Sequence, residues 1–301
     1  MNLHVHGAGK VGRALARALR ASGCSVRMTS HRRSPTPAVH ASTVILAVCD
    51  GQLAQVAATW ADSGCVPKNC VVLHVAGGCT PEVLAPLRSL CAGIGQMHPL
   101  LSFAGGRSRP VLRGAHLLID GDPKALRAAK QIARKLKMTP RSMPELDRRA
   151  YHAAAGMLAG GATALAAASV QVLAAAGVEQ ETALRMLAPL LRSVADNLQA
   201  VGLPEALSGV VRRGDVAALD RHLAAIDVYG PSHAGLYAAV SLAQIDLAGE
   251  LGEAPPEALV QMQARLAGRT GSAWTANSTD VDQGMRKFAD RAKVARQRRD
   301  R

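Results

Sequence analysis

The chain has 301 residues, 49% of them hydrophobic, and a formal net charge of +14. This length and apolar content predict two domains, each with a core of its own. Aromatic residues make up only 2% of the sequence, which argues against the base-stacking surfaces of proteins that bind single-stranded nucleic acid. The six cysteines form no C-x-x-C pair, so we expect no metal site. The sequence starts with a predicted strand rather than a signal peptide, so we expect a cytoplasmic protein.

A glycine-rich turn follows the first predicted strand. Residues 3–6 suit a short strand, glycines then stand at 7, 9 and 12, and apolar residues recur at helical spacing from 11 to 19. In this context G-x-G-x-x-G indicates a dinucleotide site, in which the first glycine permits the turn, the second lets a pyrophosphate approach and the third lets the helix pack closely. The predicted cofactor-binding residues of this turn are Gly7, Ala8, Gly9, Lys10, Val11 and Gly12.

Basic residues follow the second predicted strand, at 24–28. The sequence there reads Ser30-His31-Arg32-Arg33, and the first acidic residue of the whole chain is Asp50. An acid at this point of a dinucleotide site would select NAD by accepting a hydrogen bond from the ribose, whereas a guanidinium group matches the 2′-phosphate of NADP. We therefore predict NADP as the cofactor, bound in part by Ser30, His31, Arg32 and Arg33. The alternative is an ordinary solvated basic loop.

Strands and helices alternate up to about residue 143. Apolar runs predict strands at 43–48, 70–75, 92–97 and 115–119. Helices are predicted between them, ending near 61, spanning 81–90, and running from an Asp122 cap to 136. This pattern predicts a doubly wound, mostly parallel sheet with ligands beyond the carboxyl ends of its strands. The further cofactor-binding residues predicted at those ends are Ala47, Val48, Cys49, Asp50, Ala76 and Gly77.

The rest of the chain reads as helix. No convincing strand follows Pro144, and helices are predicted at 145–176, 180–200, 215–226, 231–251 and 255–267. We therefore divide the chain into a nucleotide-binding domain at 1–143, an all-helical domain at 144–285 and a basic tail at 286–301. The tail carries eight Lys or Arg and two Asp, and we interpret it as solvated rather than as a specific nucleic-acid site.

One helical segment lacks charge altogether. No Lys, Arg, Asp or Glu lies between Arg149 and Glu179, but the segment is rich in Ala and Gly and contains polar residues. Because leucine and isoleucine are few, we predict a long buried helix rather than a membrane span. Its small residues permit close helix contact, and we expect the helical half to form a homodimer.

Several segments together carry a resemblance. "HGAGKVG", "VILAVCD", "HVAGG", "GQMHPLLSF", "GAHLLIDGD", "YHAAAGMLAGG" and "LSGVVRRGDVAALDRHLAAI" occur in this order. They resemble Rossmann-like oxidoreductases whose C-terminal half is an all-helical domain of unknown function. That family is similar to ketopantoate reductase, pyrroline-5-carboxylate reductase and the 6-phosphogluconate dehydrogenase group. The resemblance implies NADP-linked reduction. The sequence departs from the family pattern at Gly160-Gly161, where Ser-Asn is usual, and at Val210, where proline is usual.

Two histidines are the predicted catalytic residues. His152 starts the long helix and is the predicted proton donor, since an imidazole transfers protons near neutral pH. His98 either contacts the nicotinamide or substrate, or fixes its loop. His4 and His6 alternate onto one strand face, but we predict no metal there. The predicted substrate-binding residues are Asn197, Ser208, Arg213 and Asp215. Arg212 is an equal alternative to Arg213, Asp215 could instead cap a helix, and Asn197 could lie on a solvated face.

Three functions are open on the sequence. The preferred one is NADP-dependent reduction of a small 2-oxo acid of the ketopantoate kind, in a cleft between the domains. The second is reduction of a cyclic imine such as pyrroline carboxylate. The third is a non-catalytic NADP-binding sensor or interaction protein, which the departure at Gly160-Gly161 favours.

Overall fold

The structure is a computed structural model that describes residues 1–106 and 108–270. The chain divides into two compact units, the first ending at Gly161 and the second beginning at Ala162. The division falls inside a helix, not at residue 143. The basic tail predicted at 286–301 and the end of the predicted helical domain lie outside the described residues.

The first unit is a seven-stranded sheet with helices packed on both faces. Its strands are β1 (Asn2–His6), β2 (Ser25–Thr29), β3 (Thr43–Leu46), β4 (Val71–His74), β5 (Gly93–Pro99), β6 (His116–Gly121) and β7 (Thr139–Ser142). Its helices are α1 (Lys10–Ala21), α2 (Leu53–Ser63) and α3 (Pro123–Leu136), together with the first part of α4 (Arg148–Ala175). Short 3-10 helices span Asp50–Gln52 and Pro81–Leu87.

The strand order in the sheet is β2-β1-β3-β4-β5-β6-β7. Neighbouring strands are parallel except β5 and β6, which are antiparallel. The prediction of a doubly wound, mostly parallel sheet is therefore confirmed. Residues of β3 and β4 are buried throughout, which explains their continuous apolar sequences. The carboxyl ends of β1 to β5 lie along one edge of the sheet, where the predicted cofactor residues follow them.

Three local predictions differ from the structure. The helix predicted at 81–90 is a 3-10 helix over Pro81–Leu87, and it contains Pro86, which has no backbone N–H to donate. Asp122 precedes α3, but its carboxylate does not cap that helix; it accepts a hydrogen bond from the Ile94 N–H at 2.9 Å. The edge strand β7 was not predicted, because its four residues are mostly exposed and include a proline.

The second unit is helical throughout its described residues. It contains the remainder of α4, then α5 (Gln180–Val201), α6 (Val210–Arg213), α7 (Val216–Tyr229), α8 (Ala234–Leu251) and α9 (Pro256–Ala267), with a 3-10 helix at Pro231–His233. Its core lies between α6, α7, α8 and α9 and includes Val211, Leu219, Ile245 and Met262. The prediction of a helical region after the sheet is confirmed.

The prediction that the uncharged helix is buried is wrong for the single chain. Only 6% of the most apolar window of α4 is buried, and Met157 and Leu158 are 82% and 72% exposed. Among the described residues, α4 is the one helix long and apolar enough to cross a membrane, by length and composition only. The neighbouring helix α5 exposes Met186 and Leu190 as well. Other parts of the described chain do not cover these side chains, so this prediction fails.

Candidate active site

The glycine turn between β1 and α1 has the geometry that its sequence predicts. Gly7 has a φ of +120°, and a methyl group on it would collide with the Ala47 carbonyl oxygen. A methyl group on Gly12 would collide with the Gly7 carbonyl, so α1 starts in direct contact with the turn. A methyl group on Gly9 would meet nothing within 4 Å. Two glycines are therefore needed for packing, while the third faces the open space that a pyrophosphate requires.

The basic loop after β2 is a turn with free cationic side chains. Backbone N–H groups of Arg33 and Ser34 donate to the Ser30 carbonyl at 3.1 and 2.9 Å. The indole N–H of Trp60 donates to the Pro35 carbonyl at 2.7 Å and holds the far end of the loop. Arg32 and Arg33 are exposed and have no acidic partner among the residues described. Their charge is available to an anionic ligand.

Two buried polar residues fix the loop after β4. The His74 ring accepts from the Ala76 N–H at 3.2 Å and contacts the Thr80 carbonyl at 3.2 Å. The Gln96 amide donates to the Ala76 and Cys79 carbonyls at 2.7 and 2.8 Å. Burial lowers the pKa of His74 to about 4, because it disfavours the charged ring. The backbone of Gly77 and Gly78 is therefore held from both sides.

His98 and His152 converge on this loop. A methyl group on Gly77 would lie 2.8 Å from Cδ2 of His152 and 2.9 Å from Nε2 of His98. The two rings are 6.1 Å apart between centroids and almost perpendicular. The structure thus brings together the two predicted catalytic residues, at the same sheet edge as the glycine turn.

A tyrosine completes this cluster. The hydroxyl of Tyr151 and Nδ1 of His98 share a hydrogen bond of 2.8 Å. Burial, together with the neighbouring His152, lowers the pKa of His98 to about 4. Burial also raises the pKa of Tyr151. At neutral pH His98 is therefore an uncharged ring beside an uncharged phenol.

The carboxylate of Asp50 and the ring of His152 both lie near Gly78. A methyl group on Gly78 would be 3.2 Å from Nδ1 of His152 and 3.7 Å from Oδ2 of Asp50. Asp50 begins the 3-10 helix after β3, and its side chain is exposed. The nearby Cys79 thiol has its pKa raised, first by burial and then by the charge of Asp50.

Arg148 fastens the start of α4 to the sheet. Its guanidinium group is 3% exposed and donates to Oε1 of Gln96 at 2.9 Å and to the Asp120 carboxylate at 2.7 Å. It also donates to the Met143 and Leu146 carbonyls. Because residues three and four apart share a helix face, this attachment also sets the position of Tyr151 and His152.

No sequence pattern indicated a role for Tyr151, Gln96 or Arg148. A signal existed for Gln96, an amide in an otherwise apolar strand and two residues before His98, which places both on one face of β5. Arg148 stands among the charged residues that precede α4, and nothing in the sequence separates it from the exposed Arg149. Only the fold shows which of the two is buried.

The predicted substrate-binding residues lie in the second unit. Asn197 is exposed on α5, and Ser208 is exposed just before α6. Arg213 ends α6 with an exposed side chain, whereas Arg212 pairs with Glu253 at 2.8 Å. Asp215 accepts from the Ala218 N–H at 2.9 Å and caps α7, as the alternative interpretation predicted. Their contacts with a substrate remain predictions.

Comparisons with known proteins support the fold. Residues 115–244, less than half of the chain, match the family model of a domain of unknown function, DUF2520. No curated protein matches the sequence. A proposed NADP oxidoreductase from Bacteroides fragilis is 17% identical with a TM-score of 0.65, over 81% of this chain and 97% of that one.

Two other solved structures are similar. The Thermotoga maritima protein TM1727 is 21% identical with a TM-score of 0.60, over 82% of this chain and 98% of that one. Plasmodium falciparum pyrroline carboxylate reductase, solved with NADP bound, is 10% identical with a TM-score of 0.55, over 88% of this chain and 97% of that one. Likeness at these identities shows a shared fold across nearly the whole length of each relative.

Proposed function

We propose that this protein is an NADPH-dependent reductase of a small molecule with a C=N or C=O bond. The observation that carries the proposal is the convergence of His98 and His152 on Gly77, at the sheet edge that holds the glycine turn. A reductase needs a site for the cofactor that donates the hydride and a group that donates the proton. The glycine turn and the pair of imidazoles would supply these two parts at one edge of the sheet.

The cofactor-binding part of the proposal rests on the fit of the turn and of the basic loop. The open space at Gly9 and the N–H groups at the start of α1 would receive the pyrophosphate. Ser30, Arg32 and Arg33 would receive the 2′-phosphate, because exposed guanidinium groups without acidic partners favour a phosphate dianion. NADPH, when bound, supplies the hydride. The B. fragilis and P. falciparum relatives named above support this choice of cofactor.

His152 is the residue we assign as proton donor. The lowered pKa of His98 leaves that ring uncharged at neutral pH, and its Nδ1 is already engaged with Tyr151. His152 is exposed, and a methyl group on Gly78 would lie near both its Nδ1 and the carboxylate of Asp50. We assign His98 with Tyr151 to positioning the substrate.

The substrate we propose first is a cyclic imine that carries a carboxylate. The P. falciparum relative is a pyrroline carboxylate reductase with the same fold over 88% of this chain, and this supports an imine. The ketopantoate-like 2-oxo acid that the sequence favoured is the second candidate, and no comparison adds support for it.

The test is reduction of a panel of cyclic imines and 2-oxo acids with NADPH, followed by loss of nicotinamide absorbance. We expect the protein to reduce an imine faster than it reduces the oxo acids. Tight NADPH binding with no turnover of any compound would instead favour the non-catalytic sensor. Binding of neither NADPH nor NADH would overturn the proposed function.

We also propose that a second copy of the chain covers α4 and α5. The exposed apolar residues of these helices include Met157, Leu158, Leu165, Leu184, Met186, Leu190 and Leu191. Large exposed apolar side chains in such number favour an interaction site. The glycine and alanine content of α4 favours close packing against another helix rather than insertion among lipid chains, where leucine and isoleucine dominate.

A further inference from the structure

A chain of buried histidines lies beneath the basic loop. His4 and His6, on β1, are both fully buried. Nε2 of His4 is 2.7 Å from the Thr29 hydroxyl, and Nδ1 of His6 is 2.9 Å from the same hydroxyl. Nε2 of His6 is in turn 3.2 Å from Nδ1 of His31. The chain therefore runs from the core of the sheet to the loop that carries Arg32 and Arg33.

The contacts of His4, at one end of this chain, decide which atom is the donor in each of its hydrogen bonds. Nδ1 of His4 is buried and has no hydrogen-bond partner among the described residues. Burial lowers the pKa of both His4 and His6 to about 4, so each ring is neutral and carries one N–H. An unpaired buried N–H is rarer in proteins than an unpaired acceptor. The hydrogen of His4 is therefore on Nε2, and it is donated to Thr29.

The remaining hydrogens follow in order. The Thr29 hydroxyl accepts from His4 and donates its single hydrogen to Nδ1 of His6. The hydrogen of the His6 ring is therefore on Nε2, which donates it to Nδ1 of His31. If both rings donated to Thr29 instead, the hydroxyl hydrogen would have no acceptor among the contacts of the described residues. Because Nδ1 of His31 accepts in this assignment, the ring hydrogen of His31 is on Nε2, the nitrogen not used by His6.

We propose that His31 is a phosphate-binding residue, whose Nε2–H is directed to the 2′-phosphate of NADPH by this chain of hydrogen bonds. The inference rests on the proposed function and adds to it a residue that discriminates NADPH from NADH. His31 lies between Ser30 and Arg32 and is only partly exposed. Its ring is held by His6, so little side-chain entropy is lost on binding. The group that His31 would bind is a phosphate monoester, which NADPH shares with adenosine 2′,5′-bisphosphate.

The direction of the chain is tested without any ligand. Long-range ¹H–¹⁵N NMR spectra of the full chain distinguish the two neutral tautomers of each histidine. We expect His4, His6 and His31 all to carry hydrogen on Nε2. A hydrogen on Nδ1 of His4 or of His31 would overturn the inference.

Binding is tested by titrating NADPH, NADH, adenosine 2′,5′-bisphosphate and adenosine 5′-monophosphate. His31→Ala should weaken NADPH and the bisphosphate by roughly 10- to 100-fold, the range of a hydrogen bond to a charged group, and leave NADH and the monophosphate unchanged. Thr29→Val, which interrupts the chain, should weaken the same two ligands to a smaller extent, and Thr29→Ser should restore them. His116→Ala serves as the control, because its exposed side chain lies on β6 and takes no part in the chain.

The outcomes separate this inference from the proposed function. Wild-type protein that prefers NADPH, with unchanged preference in His31→Ala, would overturn the role of His31 and leave the reductase proposal standing. Equal losses of NADPH and NADH in His31→Ala would also overturn it, since the residue would then support the loop as a whole. Wild-type protein that binds neither cofactor would overturn both.

Discussion

Nε of Arg148 donates to Oε1 of Gln96 at 2.9 Å, and this contact, together with the hydrogen bond between Tyr151 and His98, joins the first turn of α4 to β5. Gln96 lies two residues before His98, and Arg148 one helical turn before His152. The pair of imidazoles at Gly77 therefore depends on a hydrogen bond between two other side chains, neither of which faces the open site.

Replacing Arg148 by methionine should destabilise the protein. The change leaves the Asp120 carboxylate and the Gln96 oxygen without their donor, and removing one partner of a buried pair costs about 3 kcal/mol or more. Urea unfolding measures the loss. Arg149→Met is the matched control, because that side chain is 90% exposed and should change stability little. Similar losses for the two variants would show that Arg148 has no special role.

Replacing both Arg32 and Arg33 by alanine should weaken NADPH and spare NADH. Each lost hydrogen bond to the 2′-phosphate is worth about 1.5–3 kcal/mol, and NADH has no such group. Isothermal titration with both cofactors measures the difference. The control is Arg127→Ala with Lys130→Ala, which removes the same charge from exposed positions on α3. Equal losses of NADPH and NADH would contradict the assignment.

His152→Ala should lower turnover by about 10²–10⁴-fold, the usual contribution of general acid catalysis, with little change in NADPH affinity. His152→Gln should be nearly as slow, because an amide forms hydrogen bonds but does not deliver the proton. Steady-state kinetics and a separate NADPH titration measure the two quantities. If the glutamine variant keeps most of the turnover, His152 only positions the substrate, and His98 or a bound water becomes the better proton donor.

Stability should fall as the pH is lowered from about 6.5 towards 4. Three buried histidines, His4, His6 and His74, and the partly buried His98 have a pKa of about 4 in the folded chain against 6.5 in the unfolded one. The unfolded state binds more protons than the folded state throughout this range. Each fully buried ring therefore lowers the free energy of unfolding by on the order of 1–2 kcal/mol at pH 5.

Urea unfolding at a series of pH values tests this expectation. His74→Gln should show a smaller loss between pH 6.5 and 5 than the wild-type protein, whatever its stability at pH 7. His116→Gln, at an exposed position, should keep the wild-type dependence. Stability that stays constant from pH 7 to 5 would contradict the neutral state of these rings.

The protein should sediment as a dimer at micromolar concentration if a second copy covers α4 and α5. Leu158→Glu or Leu190→Glu should shift it towards the monomer, because each places a charge on a surface that becomes buried. Lys130→Glu, on the exposed side of α3, is the control. A wild-type protein that is monomeric at these concentrations would refute the proposed interface.

The sequence was sufficient for the buried parallel strands and the glycine turn because both have local patterns. Buried parallel strands are continuous apolar runs, and each glycine of the turn has a separate steric requirement. His98 and His152 could be chosen because a histidine at a strand end or a helix start has few structural reasons to be there. Their contact with each other was not predictable, because it depends on how α4 lies against β5.

The partners of these residues escaped prediction for the same reason. Tyr151 and His98 are far apart in sequence, and so are Arg148 and Gln96. Only the folded structure brings the two residues of each pair together. The chain from His4 to His31 was equally hidden, since alternating histidines on β1 give no sign of a threonine on the neighbouring strand. The burial of α4 was mispredicted because an apolar composition does not specify which elements of a chain pack against a helix.

The crowding at Gly7 and Gly12 also decides which genetic experiment is informative. Alanine at either position must push backbone apart, so loss of activity in such an allele would reflect a damaged fold rather than a lost ligand. Gly9 differs, since a methyl group there meets no protein atom. Gly9→Ala is thus the allele that separates the two effects, a normally folded protein in which only the space reserved for the pyrophosphate has been filled.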